Sequence, residues 1–281
     1  MEGLESGKIG AAGLDVYDSE PCTDSPLFAH PNVVATPHLG ASTVEAQDKA
    51  GVTIAEQVTL ALAGDFVPFA VNIDAGEVAG VLKPYLPMAE QLGRMFASMI
   101  SKLPSAVTLS FDGDIGGYDN RLVVLSAIKG LLGSRSKEQI SYVNADQLLE
   151  ASGIEIITEQ TSRGTDFVNL LSLSGGGRQM SATLMGLGDE ARLVRIDGHK
   201  VDLPPADHML IIRNNDHPGV IGQVATLLGD AGVNIDNMEV GIAEDDNTAI
   251  MVISFRTPPP EEVVIKVREV EDILSVDSIS L

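Results

Sequence analysis

The chain has 281 residues, 44% hydrophobic and 21% charged, which is enough apolar material for two or three packed domains and rules out a wholly disordered polymer. Its 18 basic and 40 acidic residues give a net charge of −22, which excludes attraction to a phosphate backbone, so no nucleic-acid partner is expected. The longest run without Asp, Glu, Lys or Arg, residues 25–44, is broken by Pro26, Pro31 and Pro37, so no membrane span is expected either. A single cysteine, Cys22, forms no internal disulfide, and a reducing cytosol is the expected setting. The start, Met1-Glu2-Gly3-Leu4, has neither the basic nor the apolar region of a secretion signal.

Residues 1–74 carry a net charge of −9 and read as strand, loop, strand, helix. The runs Ala11–Val16 and Asn32–Thr36 are continuously apolar, as strands of a parallel sheet are when both faces are buried. Pro37-His38-Leu39-Gly40 breaks the second strand, and Ser42 with Glu45 has the S-x-x-E form of a capping box. Ala46, Ala50, Ile54, Val58 and Leu62 then recur at helical spacing from Val44 to Ala63, and Gly64 ends the helix. Together these predict the tail of an α/β unit.

Residues 75–207, net −4, predict an α+β domain. Helices are expected at Pro84–Ser101, Asp119–Leu132 and Ala145–Ala151. Strands are expected at Ala106–Phe111, Ile140–Val143, Ile154–Glu159, Phe167–Ser174, Gln179–Leu187 and Ala191–Ile196. Gly175-Gly176-Gly177 reads as a turn between strands. Gly186-Leu187-Gly188-Asp189-Glu190-Ala191 matches a dinucleotide loop by letter, but two carboxylates would face the phosphates and a strand follows, so a hairpin turn is expected. Arg192, Arg195 and Lys200 are the densest basic cluster; the two arginines point to opposite faces of their strand unless a bulge intervenes.

Pro204-Pro205 marks the next boundary. Residues 208–281, net −9, give strand His208–Arg213, helix Gly219–Ala231, strand Ile235–Ile242, an acidic turn, strand Thr248–Phe255, helix Glu261–Glu271 and strand Val276–Ser280. The order βαββαβ is the ferredoxin-like arrangement. In the first strand-to-helix connection, Pro218 suits a first helical position and Asp216 a cap for the amides beyond it. The same loop suits a small zwitterion: Gly219 admits close backbone approach, and Asn214, Asp216 and Asn234 offer polar groups.

His38 follows one buried strand and Asp15 ends another, at the carboxyl ends where open parallel sheets bind ligands. An imidazole beside a carboxylate such as Glu20 or Asp15 holds a proton more firmly and can exchange it with a hydroxyl or carbonyl oxygen. Interconversion of a 2-hydroxy and a 2-keto acid needs such a group, with a nicotinamide handling the hydride. By spacing alone, a histidine held for structure is the readier reading.

The wording Ala12-Gly13-Leu14-Asp15-Val16-Tyr17-x-x-Glu20-Pro21, followed by Thr36-Pro37-His38-Leu39-Gly40-Ala41-Ser42-Thr43, resembles the D-2-hydroxyacid dehydrogenase family, in its long bacterial form. The resemblance implies three parts: residues 1–74 as the end of a Rossmann-like dinucleotide-binding region, 75–207 as an intervening domain of allosteric substrate-binding type, and 208–281 as an ACT regulatory domain. It implies His38 as general acid/base paired with Glu20, Asp15 beside the nicotinamide of NAD, and oxidation of 3-phospho-D-glycerate to 3-phosphohydroxypyruvate in serine biosynthesis. It further implies L-serine at Asn214, Asp216, Gly219 and Asn234, a phosphate-bearing anion at Arg192, Arg195 and Lys200, self-association through the ACT and intervening domains, and no metal. The family's GxGxxG loop and substrate-binding arginine lie upstream of the matched motifs, and no arginine precedes Arg94. The sequence thus looks like the C-terminal part of a longer enzyme, inactive alone. A non-catalytic amino-acid-sensing module is the alternative.

Overall fold

The computed structural model describes residues 1–71, 80–136, 139–164, 166–242 and 248–281, with Ile242 described by its backbone alone. It divides into two units, Met1–Ala63 and Gly64–Leu281. The expected domain boundary at 74/75 and the acidic turn after Ile242 lie outside the described residues.

The first unit begins with helix α1 (Glu2–Glu5) and holds strands β1 (Ala12–Leu14) and β2 (Val33–Ala35), paired in parallel as Gly13 with Val34. Helix α2 (Val44–Ala63) has the predicted bounds, and Gly64 leaves it with φ +76, a left-handed turn that glycine makes without strain. Its cap is Thr43, whose Oγ1 accepts from the Ala46 amide at 3.2 Å; Ser42 sits in a preceding 3₁₀ turn and the Ser42–Glu45 capping box does not form. No hydrophobic side chain of this unit is fully buried, and Ile54, Val58 and Leu62 on α2 are exposed.

In the second unit, α3 (Tyr85–Ser98), β3 (Ala106–Gly113), α4 (Arg121–Gly133), α5 (Ala145–Ser152), β4 (Glu155–Thr161), β5 (Asn169–Gly175), β6 (Arg178–Met185), β7 (Glu190–Ile196) and β8 (His199–Leu203) form the α+β part. Its six-stranded sheet runs β4-β3-β5-β6-β7-β8, with β3 and β4 parallel and every other pair antiparallel. Val107, Leu109 and Phe111 alternate inward under α3 and α4. The two helices approach closely through glycines: a Cβ on Gly130 would stand 1.9 Å from the Glu90 carbonyl, and one on Gly93 2.3 Å from that of Ala127.

Two expectations fail here. Ile140–Val143 is not a strand: Asn144 Oδ1 accepts from the Ser141 amide at 2.7 Å and its Nδ2 donates to the Gln139 carbonyl, which curls the segment into a turn. Ile140 and Tyr142 are buried from that turn, the Tyr142 hydroxyl 2.8 Å from Ser126 Oγ. Strand β8 was not anticipated; it follows the Asp197-Gly198 turn, both residues at positive φ as a two-residue hairpin requires.

The ACT part comprises β9 (His208–Asn215), α6 (Val220–Asp230), β10 (Asn237–Ile242), β11 (Thr248–Phe255), α7 (Glu261–Arg268) and β12 (Ile273–Ser280), in sheet order β10-β11-β9-β12, all antiparallel. The predicted βαββαβ order is borne out. Both broad faces of the sheet are covered. Leu210, Ile212, Met251 and Ile253 pack under α6 and α7, while Met209, Ile211, Ile250, Val252 and Ile279 belong to the core of the intervening part. Edge strand β10 also abuts β8 so closely that a Cβ on Gly241 would lie 2.3 Å from the Lys200 carbonyl.

Candidate active site and effector loop

The first unit brings Asp15, Glu20 and His38 together. Parallel pairing sets the ends of β1 and β2 side by side, which puts Asp15, just past β1, against the Pro37–Gly40 turn that leaves β2. The Asp15 carboxylate accepts from Thr36 Oγ1 at 2.5 Å and from the backbone amides of Leu39 at 2.6 Å and Gly40 at 2.7 Å. Those donors, the threonine hydroxyl first, hold its pKa below the ordinary aspartate value. Asp15 is therefore a clamp on the backbone around His38, which sits at φ +58, a conformation non-glycine residues seldom adopt.

Glu20 completes the constellation. Its Oε2 lies 2.6 Å from His38 Nδ1, and its Oε1 accepts from the Tyr17 amide at 3.0 Å. This bond and the charge behind it raise the His38 pKa and lower that of Glu20. With Nδ1 committed to the carboxylate, Nε2 is the nitrogen available to a substrate, and the imidazole side chain is 54% exposed. Tyr17 supports the turn further, its hydroxyl donating to the Thr36 carbonyl at 3.0 Å and its ring meeting Phe28 edge-on at 5.7 Å. Thr36 and Tyr17 stand inside the quoted motifs, but reading the sequence gave neither a role. A small cavity of about 320 Å³ opens beside them, lined by Tyr17, Cys22, Phe28 and Thr36 among others.

These residues suit the reacting end of a nicotinamide cofactor. They offer an acid/base group with a fixed tautomer next to an aromatic-lined recess. For the pyrophosphate, this unit carries no G-x-G-x-x-G loop between a strand and a helix; the β2–α2 connection holds Gly40 alone. The G-x-G-x-x-A at Gly186–Ala191 is the β6–β7 hairpin, as expected, and Gly176-Gly177 is the β5–β6 turn.

In the ACT part the predicted loop residues divide. Gly219, at φ +99, is itself the N-cap of α6, so Asp216 does not cap the helix and Pro218 precedes it instead of opening it. Asn214 is buried, its Nδ2 donating to the Asn215 carbonyl at 2.7 Å. Asn234 Nδ2 donates to Asp236 at 3.3 Å, and no hydrogen bond joins Asn234 to Asp216 among the described residues. The organiser of the loop is Asp272, which accepts from Asn215 Nδ2 and pairs with His217 Nδ1, both at 2.9 Å. The pair raises the His217 pKa and, with Asn215, lowers that of Asp272. Asp272 lies 55 residues from His217, so no local signal in the sequence announces it.

The basic cluster is gathered by a bulge. Arg195 opposes Ser181 and Arg192 opposes Thr183, with a register shift between them, so both arginines face the same side as Lys200, the cross-strand partner of Arg195. Each arginine has a carboxylate partner: Arg192 pairs with Asp202 at 2.7 Å and Arg195 with Asp166 at 2.5 Å.

A carboxylate-held histidine at the ends of parallel strands, followed by an α+β domain and a βαββαβ domain, is the order of parts expected from the resemblance to D-2-hydroxyacid dehydrogenases. The comparisons agree part by part. Residues 1–40 match the NAD-binding domain of D-isomer specific 2-hydroxyacid dehydrogenases, residues 81–197 the D-3-phosphoglycerate dehydrogenase intervening domain, and residues 208–272 the ACT domain. D-3-phosphoglycerate dehydrogenase of Mycobacterium leprae is 38% identical over 267 residues, covering 93% of this chain and 51% of that protein. Those of Mycobacterium bovis and Bacillus subtilis are 35% and 32% identical, each covering 100% of this chain and 54% of theirs. Along its whole length the chain is similar to part of these D-3-phosphoglycerate dehydrogenases, and it spans about half the length of the curated relatives it matches.

Proposed function

We propose that this chain supplies the acid/base group and the regulatory half of an NAD-dependent dehydrogenase that oxidises 3-phospho-D-glycerate to 3-phosphohydroxypyruvate, the entry to serine synthesis. The observation that carries the reading is the 2.6 Å His38–Glu20 pair on a turn clamped by Asp15. Bound NAD supplies the hydride acceptor. His38 Nε2 takes the proton of the substrate hydroxyl as the C–H bond gives up its hydride, and Glu20 stabilises the imidazolium so formed. Asp15, its oxygens occupied by Thr36, Leu39 and Gly40, acts by positioning; a place beside the nicotinamide is compatible with that. The NAD-binding match, confined to residues 1–40, goes with no measurable turnover by the 281-residue chain alone. In a full-length enzyme carrying this segment, His38→Ala lowers turnover by on the order of 10²–10⁴, the usual range for a general acid/base. A loss of under about threefold removes His38 from the role.

The regulatory part of the reading is L-serine binding at Asn214, Asp216, Gly219 and Asn234, completed by a second copy of the chain. It is supported by the ACT match and by a loop braced from outside through Asp272, which leaves Asp216 uncommitted to the helix. A phosphate-bearing anion at Arg192, Arg195 and Lys200 would displace Asp202 and Asp166 as it bound. The single cysteine is in keeping with a cytoplasmic setting, and no helix among the described residues is long and apolar enough to cross a membrane.

A further inference from the structure

The intervening and ACT parts meet over an apolar seam in which Met209, Ile211, Ile250, Val252 and Ile279 join the core beneath the six-stranded sheet. At one place the seam turns polar and opens into a cavity of about 560 Å³. One wall is the cross-strand pair Ser174 and Gln179 of the intervening part. The other is an ACT row in which Arg213 stands between Ile250 and Ser275, with Asp277 one row further along beside Ile211. Arg178 spans the two walls. Its guanidinium donates to Asp197 at 2.8 Å, to Asp277 of the ACT part at 2.6 Å, and to the Met99 carbonyl at 2.9 Å.

Apolar packing of the same volume would hold the seam at least as well as these features do. A void forfeits dispersion contacts, and ion pairs drawn out of water are seldom more stabilising than apolar packing of the same volume. The neighbouring seam residues show the alternative, a dry join. A polar cavity between domains is instead where small ligands bind.

We propose that this cavity binds a small zwitterion of the α-amino-acid class, its ammonium on Asp277 and its carboxylate on Arg213. Charge selects the ligand. Arg178 is shared by two carboxylates, so that side of the cavity is net negative and draws a cation. Arg213 lies one row away on the same face, about 7 Å along the strand, and draws an anion. A guanidinium has five N–H donors, so a partner within the chain still leaves it able to grip a carboxylate. A simple anion would face Asp197 and Asp277 in a protein of net charge −22, and a simple cation would face Arg178 and Arg213. A dipole satisfies both ends, while Ser174, Gln179 and Ser275 meet its remaining polar groups. Asn214, next to Arg213 on β9, points to the opposite face, so this site is separate from the effector loop.

Isothermal titration of the 281-residue chain with L-serine, L-valine and L-glutamine tests the assignment, with ethanolamine and L-glycerate as probes lacking the carboxylate and the ammonium. At least one amino acid should bind saturably, and the two single-charge probes at least tenfold more weakly. Measured in an Asp216→Ala background, so that the effector loop contributes no heat, Arg213→Met and Ser275→Leu should each weaken the remaining binding at least tenfold. Ser275→Leu fills the space without removing an ion pair, so it decides the matter should Arg213→Met fail to fold. Absence of heat from all three amino acids overturns the proposal, as does undiminished binding in Ser275→Leu. Binding lost in Asp216→Ala alone assigns the ligand to the effector loop and overturns it too, whereas failure here with binding there leaves the serine reading intact.

Discussion

The two units of this chain divide chemistry from stability. Residues 1–63 hold the His38–Glu20–Asp15 constellation yet contain no fully buried hydrophobic side chain, whereas residues 64–281 hold the whole fully buried apolar core. Two parallel strands of three residues each give the first unit a single ladder, and α2 keeps Ile54, Val58 and Leu62 exposed. Its order comes from hydrogen bonds at one turn. Among its described residues, the second unit draws its order from helices layered on two sheets, with the ACT sheet covered on both faces. A site can thus be geometrically complete at the side-chain level while its scaffold has little core of its own.

Amide hydrogen exchange on the 281-residue chain is the broadest way to break that comparison. Core strands β5, β6, β9 and β11 should exchange more slowly than β1 and β2 by on the order of 10³ or more, since local opening ranges from nearly free to the full unfolding energy. Limited proteolysis should follow suit and trim the first unit before the second. Equal protection throughout would show that the first unit has found other support.

The same substitution should act with opposite signs in the two units. Gly130→Ala drives a methyl into the Glu90 carbonyl between α3 and α4, and should cost about 3 kcal/mol or more by urea unfolding. Gly51→Ala on α2 meets nothing within 4 Å and should favour the helix by about 1 kcal/mol, read as slower exchange of α2 amides. A neutral Gly130→Ala would mean that α3 and α4 are not held as closely as their backbones stand here.

Periodicity made much of this fold legible. Helix α2 is bounded by its own apolar repeat and a glycine stop, and the βαββαβ order follows from alternation between turn signals. The errors arise where a local pattern met a tertiary contact. Ile140–Val143 looks like a strand because Ile140 and Tyr142 alternate as buried residues do, but Asn144 turns the backbone that buries them. Strand β8 was signalled by Asp197-Gly198 and passed over because its five residues are short and half polar. Within the sites, His38 and Glu20 were legible from their motifs. The clamp of Asp15 on two backbone amides, the Asp272 brace and the Arg178 bridge were not, because each joins segments that only the fold brings together.

The central claim is that Glu20 sets the protonation of His38 for proton transfer, and the pH dependence of kcat/KM in a full-length enzyme carrying this segment tests it most directly. Oxidation requires neutral His38, so the rate climbs as pH rises through a His38 pKa that Glu20 holds above the ordinary histidine value. Glu20→Gln removes the charge and should move that acidic limb to lower pH while lowering the plateau. An acidic limb that stays where it was in Glu20→Gln would contradict the account.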